Sequence, residues 1–278
     1  MRASAVLLLC ALSLPAVAAD SAARDVGSVE KLELTSLTRE RAAVWARTVL
    51  PRAAKGAKQT FRGEVTVANV ALPLREPVVV MVQPRGSRFE AVFLLDVDLA
   101  RIPEALVTKM GTKAVDPTFD GTLSGDGGSS APVFAVGVIR FGSPQLSAPA
   151  SNAATFVRFG GARLSGLGLS ESSGEATARV YNPFGFPLGV KSLTYSLWVG
   201  DRRIVQGELK GIRIHPGREN EVRLPLRALN SDVFAAAGEA VKGGGTIDGR
   251  LRAQVSVKVG QDEVTVPLDL PGKVRLVR

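Results

Sequence analysis

Apolar and polar residues alternate along much of the second half of the chain. In Glu175-Ala176-Thr177-Ala178-Arg179-Val180 the alternation is strict, and Leu193, Tyr195, Leu197 and Val199 alternate with Thr194, Ser196 and Trp198. Val222, Leu224 and Leu226 alternate with Arg223, Pro225 and Arg227, and the period returns in Leu251–Val259 and Val264–Leu270. A period of two puts successive side chains on opposite faces, which predicts half-buried antiparallel strands. Gly200-Asp201 and Gly260-Gln261-Asp262 fall between runs, where the chain must turn. Pro225 and Pro267 lack an amide hydrogen and belong on edges or at bulges. One stretch departs from the period. Ser231–Lys242 is rich in Ala, can be capped by Asn230 or Ser231, and ends at Gly243-Gly244-Gly245, which predicts one short helix.

The first half repeats this order more faintly. Gly63-Glu64-Val65-Thr66-Val67 reads like Gly174-Glu175-Ala176-Thr177-Ala178. Asn69 with Leu72-Pro73-Leu74 reads like Asn182 with Phe186-Pro187-Leu188. A helix predicted over Pro103–Met110 stands where the Ala-rich one stands, and Asp120-Gly121 matches Asp248-Gly249. Both Asp-Gly pairs read as turns. The expectation is a mainly β chain of two tandem antiparallel β-sandwich domains, 28–146 and 150–278, each with one short helix. Thr38–Lys58 reads as a helical insertion in the first.

The first residues change the picture of where the chain works. Arg2, the apolar Ala5–Leu14 and the small residues Ala16-Val17-Ala18-Ala19 have the layout of a cleaved export signal, residues 1–19. The expected location is the periplasm or the outside of the cell. Cys10 is the only cysteine, and Leu9 before it is not the small residue a lipobox needs, so a lipoprotein is not expected. With Cys10 in the leader, a mature chain has no disulfide and relies on its core.

Charge adds one feature. The formal net charge is +9; Asp20–Ser147 holds 16 basic and 14 acidic residues, and Ala148–Arg278 holds 18 and 12. Arg202, Arg203, Arg213, Arg218, Arg223 and Arg227 supply most of a basic hairpin. They read as a solvated face, with contact to an anionic surface as the functional alternative. Aromatics are 5% and do not interleave with Arg, so nucleic acid is not an expected partner. The one histidine, His215, precedes Pro-Gly in a turn with no nucleophile near it in sequence. Asp96, Asp98, Asp116, Asp120 and Asp126 lack the ordered spacing of a calcium loop. No cofactor, metal site or catalytic set is expected.

The most distinctive stretch is Asn182-Pro183-Phe184-Gly185-Phe186-Pro187-Leu188. Asn can bond main-chain groups left free at a strand end, Pro183 ends the ladder, Gly185 permits a positive φ, and the two Phe can plug the mouth of a sandwich. The reading is a structural corner; a clamp for an acyl chain is the alternative. Val180–Phe184, Phe186-Pro187-Leu188, the Leu193-Tyr195-Leu197 strand and Ile214-His215-Pro216-Gly217 leading into Val222–Leu226 resemble the late embryogenesis abundant type 2 (LEA type 2) proteins. Their domain is also called WHy, for water stress and hypersensitive response. The resemblance covers about Phe156 to Leu276; in the first half only Asn69 and Leu72-Pro73-Leu74 remain of it. It implies a small, fibronectin III-like antiparallel β-sandwich with one helix. It also implies a non-catalytic role protecting partly unfolded proteins or anionic membrane surfaces during desiccation, with lipid binding between the sheets as the rival.

Overall fold

The computed structural model describes residues 26–109, 114–140, 146–147, 156–165, 171–229, 231–232, 245–259 and 262–276. Contacts divide the chain into two compact units, with the change at Pro149 and Ala150. The first contains β1 (Gly27–Leu37), β2 (Arg41–Leu50), β3 (Lys58–Val67), β4 (Val78–Arg85), β5 (Arg88–Asp98), a short helix α1 (Glu104–Lys109), β6 (Pro117–Ser124) and β7 (Ser130–Val136). The second contains β8 (Val157–Ser165), β9 (Glu171–Tyr181), β10 (Leu188–Val199), β11 (Arg202–Ile214), β12 (Glu219–Leu229), β13 (Thr246–Val259) and β14 (Asp262–Leu276).

The chain is mainly β, but its sheets are not the separate facing pairs that the alternation predicts. In the first unit the strands run β1-β2-β5-β4-β3-β6-β7, and β7 pairs in parallel with β1 through Gly27↔Ala135 and Ser28↔Val136. The sheet therefore closes on itself as a barrel. In the second unit the order is β11-β10-β13-β14-β8-β9-β12, with β8 and β14 parallel at Ala162↔Val274. Those parallel pairings join edges that a sandwich would leave apart. Numbered from its own start, the second sheet has the same succession of neighbours as the first. One step differs: β4 and β5 form a full ladder from Val79↔Leu94 to Arg85↔Arg88, whereas β11 and β12 end the second sheet unpaired with each other.

Three sequence expectations are corrected here. Thr38–Lys58 is not helical: it contains strand β2, paired along its length with β5 from Arg41↔Asp98 to Leu50↔Phe89. Small Ala42, Ala43 and Ala46 and the doublet Val49-Leu50 blur its period of two, and tertiary pairing decides the outcome. Asp120-Gly121 and Asp248-Gly249 lie inside β6 and β13, not in turns. The correspondence of Gly63–Val67 with Gly174–Ala178 also fails. The first segment is in β3, whose place in the sheet is that of β10; the second is in β9. Of the second expected helix, only Ser231 and Asp232 fall within the described residues.

Close packing, not turning, accounts for the glycine at 121. Gly63 and Gly121 face each other across β3 and β6. A Cβ on Gly121 would lie 2.3 Å from the Arg62 carbonyl oxygen and 2.7 Å from the Gly63 Cα and from the Phe61 ring. The space so saved is filled by aromatic rings. Phe61 and Phe93 meet edge to face at 5.3 Å, and Phe93 and Phe119 lie tilted at 52° and 4.7 Å, all three buried. The second core is mostly aliphatic, built from Leu164, Leu197, Leu224, Leu226, Leu251 and Val274, with Tyr195 the aromatic among its buried described residues and Phe159 packed partly buried against it. Strand β12 shows the alternation without a break: every even residue from Asn220 to Ala228 is buried and every odd one exposed. We predict that Gly121→Val lowers the stability of the first unit by about 1–3 kcal/mol through forced separation of β3 from β6. An unchanged urea midpoint would discount the close approach.

Candidate functional site

The corner between β9 and β10 is built around Asn182, which is fully buried. Its side-chain oxygen accepts from the Phe184 amide at 3.0 Å, and its side-chain nitrogen donates to the carbonyls of Phe186 at 2.8 Å and Ile214 at 3.2 Å. Its own amide donates to the Arg218 carbonyl and its carbonyl accepts from the Gly217 amide at 2.9 Å. One side chain thus fixes both the Asn-Pro corner and the turn between β11 and β12. A second asparagine works from the other side. Asn220 accepts from the His215 amide at 2.8 Å and donates to the carbonyls of His215 at 2.9 Å and Arg218 at 3.0 Å. Asn220 occupies an inward position of β12, whose other inward positions are apolar, and Asn182 is buried one residue past the end of β9; burial without these bonds would cost each several kcal/mol.

Phe184 is buried and Phe186 half-buried, and their rings stack at 5.3 Å and 16°. Each ring spends a face on the other. Pro183 and Pro187 are both partly buried beside them. Gly185 is not where the chain takes a positive φ; that falls at Gly217, φ 63°, in the facing turn.

Where β11 and β12 fail to pair, a cleft of about 480 Å³ opens, its lining including Leu209, Ile212, Arg213, Arg218 and Val222. Two residues explain the missing ladder. Gly211 takes φ 65°, bending β11 halfway along the cleft, and the space around it is open, so conformation alone demands glycine there. On the other side, Pro225 gives β12 no amide to offer. In place of a ladder the Tyr195 hydroxyl donates to the Pro225 carbonyl. The Tyr195 ring lies so close over Gly207 of β11 that a Cβ there would be 2.4 Å from it. Tyrosine from β10 thereby reaches past β11 and ties down β12.

A model of the late embryogenesis abundant family matches residues 177–272, from the middle of β9 into β14. This region is therefore similar to the LEA type 2 family, the match covering about a third of the chain. No curated protein matches the chain. Among solved structures, a protein from Archaeoglobus fulgidus is similar at 16% identity over 44% of this chain and 96% of its own, TM-score 0.32. A solution structure from Arabidopsis thaliana is similar at 18% identity over 42% of this chain and 79% of its own, TM-score 0.36. Both superpositions are loose, and the assignment rests on the matched residues alone.

Within the matched region the six arginines of the basic hairpin are all exposed but do not form one patch. Arg202 and Arg203 begin β11 and Arg227 lies toward the end of β12. Arg213, Arg218 and Arg223 line the cleft at the opposite end. His215 is exposed in the turn beside them. Gly249, in β13 of the same region, serves packing, since a Cβ there would stand 2.5 Å from Val274, while Asp248 is exposed and pairs with Lys273 at the surface. In the first unit, Asn69 is an exposed hairpin residue with φ 60° following Ala68 at φ 52°, a turn role unlike that of buried Asn182. Pro73 accepts at its carbonyl from the Asp98 amide at 3.0 Å. Asp96 and Asp98 pair with Arg41 and Arg75. Among the described residues no three His, Cys, Asp or Glu gather as metal ligands. Asn220, Tyr195, Gly207 and Gly211 were not singled out in the sequence as site residues. A polar residue at an inward place of β12 was the available signal for Asn220.

Two outcomes are expected of this corner. Asn182→Asp keeps the acceptor for Phe184 but removes both donors, so it should destabilise the second unit about as much as Asn182→Ala, by about 2–3 kcal/mol on denaturant unfolding. Near-normal stability of the aspartate variant would discount the two donated bonds. For Tyr195, burial raises the phenol above its ordinary 10.0. Below about pH 10 both folded and unfolded forms are neutral and the shift has no effect; above it the unfolded chain ionises first and stability falls as pH rises. The urea midpoint should therefore drop more steeply above pH 10 in the parent than in Tyr195→Phe, and equal slopes would refute this.

Proposed function

We propose that the protein is an exported, non-catalytic stress protein of the desiccation-response type, of the kind also called WHy. The match of residues 177–272 to the late embryogenesis abundant family carries this reading. Its action would be at its surface, covering partly unfolded proteins, or anionic membrane faces, as water is lost. Several properties suit that task. The chain's only cysteine lies within the proposed leader, so no disulfide would be exposed to reduction. The basic residues of the second unit are spread along a hairpin rather than gathered in one strong site, which favours weak, unspecific contact. We read β1–β7 as a second, divergent copy of the same domain, a reading supported by the common succession of strands.

The rival, a lipid shuttle with an acyl chain between Phe184 and Phe186, draws no support from a pair of rings stacked on each other. A direct test is to dry a labile enzyme such as lactate dehydrogenase with the mature protein or with an equal mass of serum albumin. The expected result is clearly higher recovered activity with this protein. Recovery no better than with albumin would defeat the proposal.

A further inference from the structure

The two units dress the same place in the strand order with opposite surfaces. In the second, the outward residues of β9 and β12 are mostly charged: Arg179 stands opposite Glu221, Thr177 opposite Arg223 and Glu175 opposite Pro225. In the first, the matching strands β2 and β5, with β4 beside them, turn apolar side chains outward. One cross-strand row runs through Trp45, Leu94 and Val79, and the next holds Val92 and Met81. Their neighbours along each strand, Ala46, Phe93 and Val80, are buried in the core, so the alternation leaves this second set outside. Trp45 and Met81 are 48% and 46% exposed, and Val79, Val92 and Leu94 are half-buried. Opposed residues on one face lie about 5 Å apart, so these side chains form one continuous patch. The charged face of the second unit shows that the strand order does not require it.

Charge at the rim is spent within the rim. Lys31 pairs with Glu33 at 3.1 Å, Arg47 with Glu90 at 3.2 Å and Arg41 with Asp96 at 3.4 Å. Glu33 stands opposite Trp45, and Arg47 opposite Val92. Lys58, opposite Met81, adds one positive charge. Such a face has little field with which to hold an anionic membrane or to choose a partner by sign. Its size argues against a second copy as well. Two half-exposed large side chains and their neighbours offer roughly 300 Å², whereas a stable pair buries about 800 Å² on each partner. That area suits weak, repeated contact with short apolar segments. The thioether of Met81 adapts to varied side chains, and the indole of Trp45 gives flat contact area at low entropy cost. We propose that the outer face of β2, β5 and β4, centred on Trp45 and Met81, is where the first unit holds aliphatic and aromatic segments of partly unfolded proteins. This rests on the protective reading and gives it a place on the molecule.

The test uses the full-length chain without its leader and a labelled, permanently unfolded probe, reduced and carboxamidomethylated hen lysozyme, read by fluorescence anisotropy. The probe is itself basic, so charge does not draw it to this protein. The double variant Trp45→Thr/Met81→Thr puts strand-forming residues at exposed sites, so its circular dichroism and urea midpoint should hold. Its affinity for the probe should fall at least about fivefold, and Trp45→Phe/Met81→Leu should keep the parental affinity. Raising salt to about 0.5 M should not weaken parental binding. A second measurement needs no variant: in hydroxyl-radical footprinting, excess probe should shield Trp45 and Met81 from oxidation and leave Phe134, also 46% exposed, as reactive as before. Unchanged affinity of the threonine variant, loss of binding in salt, no shielding at Trp45 and Met81, or no binding at all would overturn the proposal. So would self-association lost in that variant, which would assign the face to a second copy. Binding of phosphatidylglycerol vesicles in place of the probe, lost in the same variant, would assign it to a membrane and overturn it too. The drying assay separates this site from the protective reading. A parent chain that outperforms albumin, with a threonine variant that binds and protects equally well, removes the site and leaves protection standing. A parent chain no better than albumin removes the protective reading even where the face binds the probe.

Discussion

A sheet that curls round a core has two edges, and each edge carries a row of main-chain donors and acceptors that must find partners or water. In both units the first and last strands meet in parallel, Gly27–Ser28 on Ala135–Val136 and Ala162–Leu164 on Val274–Leu276, which removes one pair of edges. What becomes of the remaining pair decides the character of each unit. The first zips it shut and can fill its interior with three large phenylalanines. The second leaves it open, and the open seam concentrates the unusual chemistry: two buried asparagines, a glycine with positive φ, a proline without a hydrogen bond to give, and a tyrosine that replaces a ladder with one bond.

Seen this way, the Asn182–Pro187 stretch is neither a reactive loop nor an ornament of the strand end. An unzipped seam needs another device to hold its strands at a fixed separation. Asn182 and Asn220 clasp the turn at one end and Tyr195 ties the middle, so β12, paired by its backbone with β9 on one side, is held on its seam side by side chains, where β5 has a second ladder. Side-chain bonds fix position without consuming the edge. The strand is held on that side without a second ladder.

Much of this fold was legible in residue order, and the limits were physical. Strand β12 could be read residue by residue, because each side chain reports its own face. Strand β2 could not, because Ala and the Val49-Leu50 doublet carry little facial preference and its identity comes from pairing with β5, some fifty residues away. The Asp-Gly pairs were visible but misread: glycine serves turns and close approaches alike, and only the partner across the ladder, Gly63 or Val274, tells which. The corner was legible as a corner because Asn, Pro and Gly act locally. Its second asparagine, the tyrosine strut and the closure of the sheets were not, since each depends on contacts between residues distant in sequence.

The comparison of the two sheets also bears on why the domains differ. A closed seam favours a core of interlocking rings, since nothing competes for the interior and the tightest packing gives the most stability. An open seam favours aliphatic packing and polar clasps, since a phenylalanine cluster beside unpaired peptide groups would desolvate them without satisfying them. The contents of the two cores follow that division: Phe61, Phe93 and Phe119 in one, leucine and valine around a hydrogen-bonded tyrosine in the other. The same succession of strands thus supports two closures, one by a backbone ladder between β4 and β5 and one by side-chain bonds between β11 and β12.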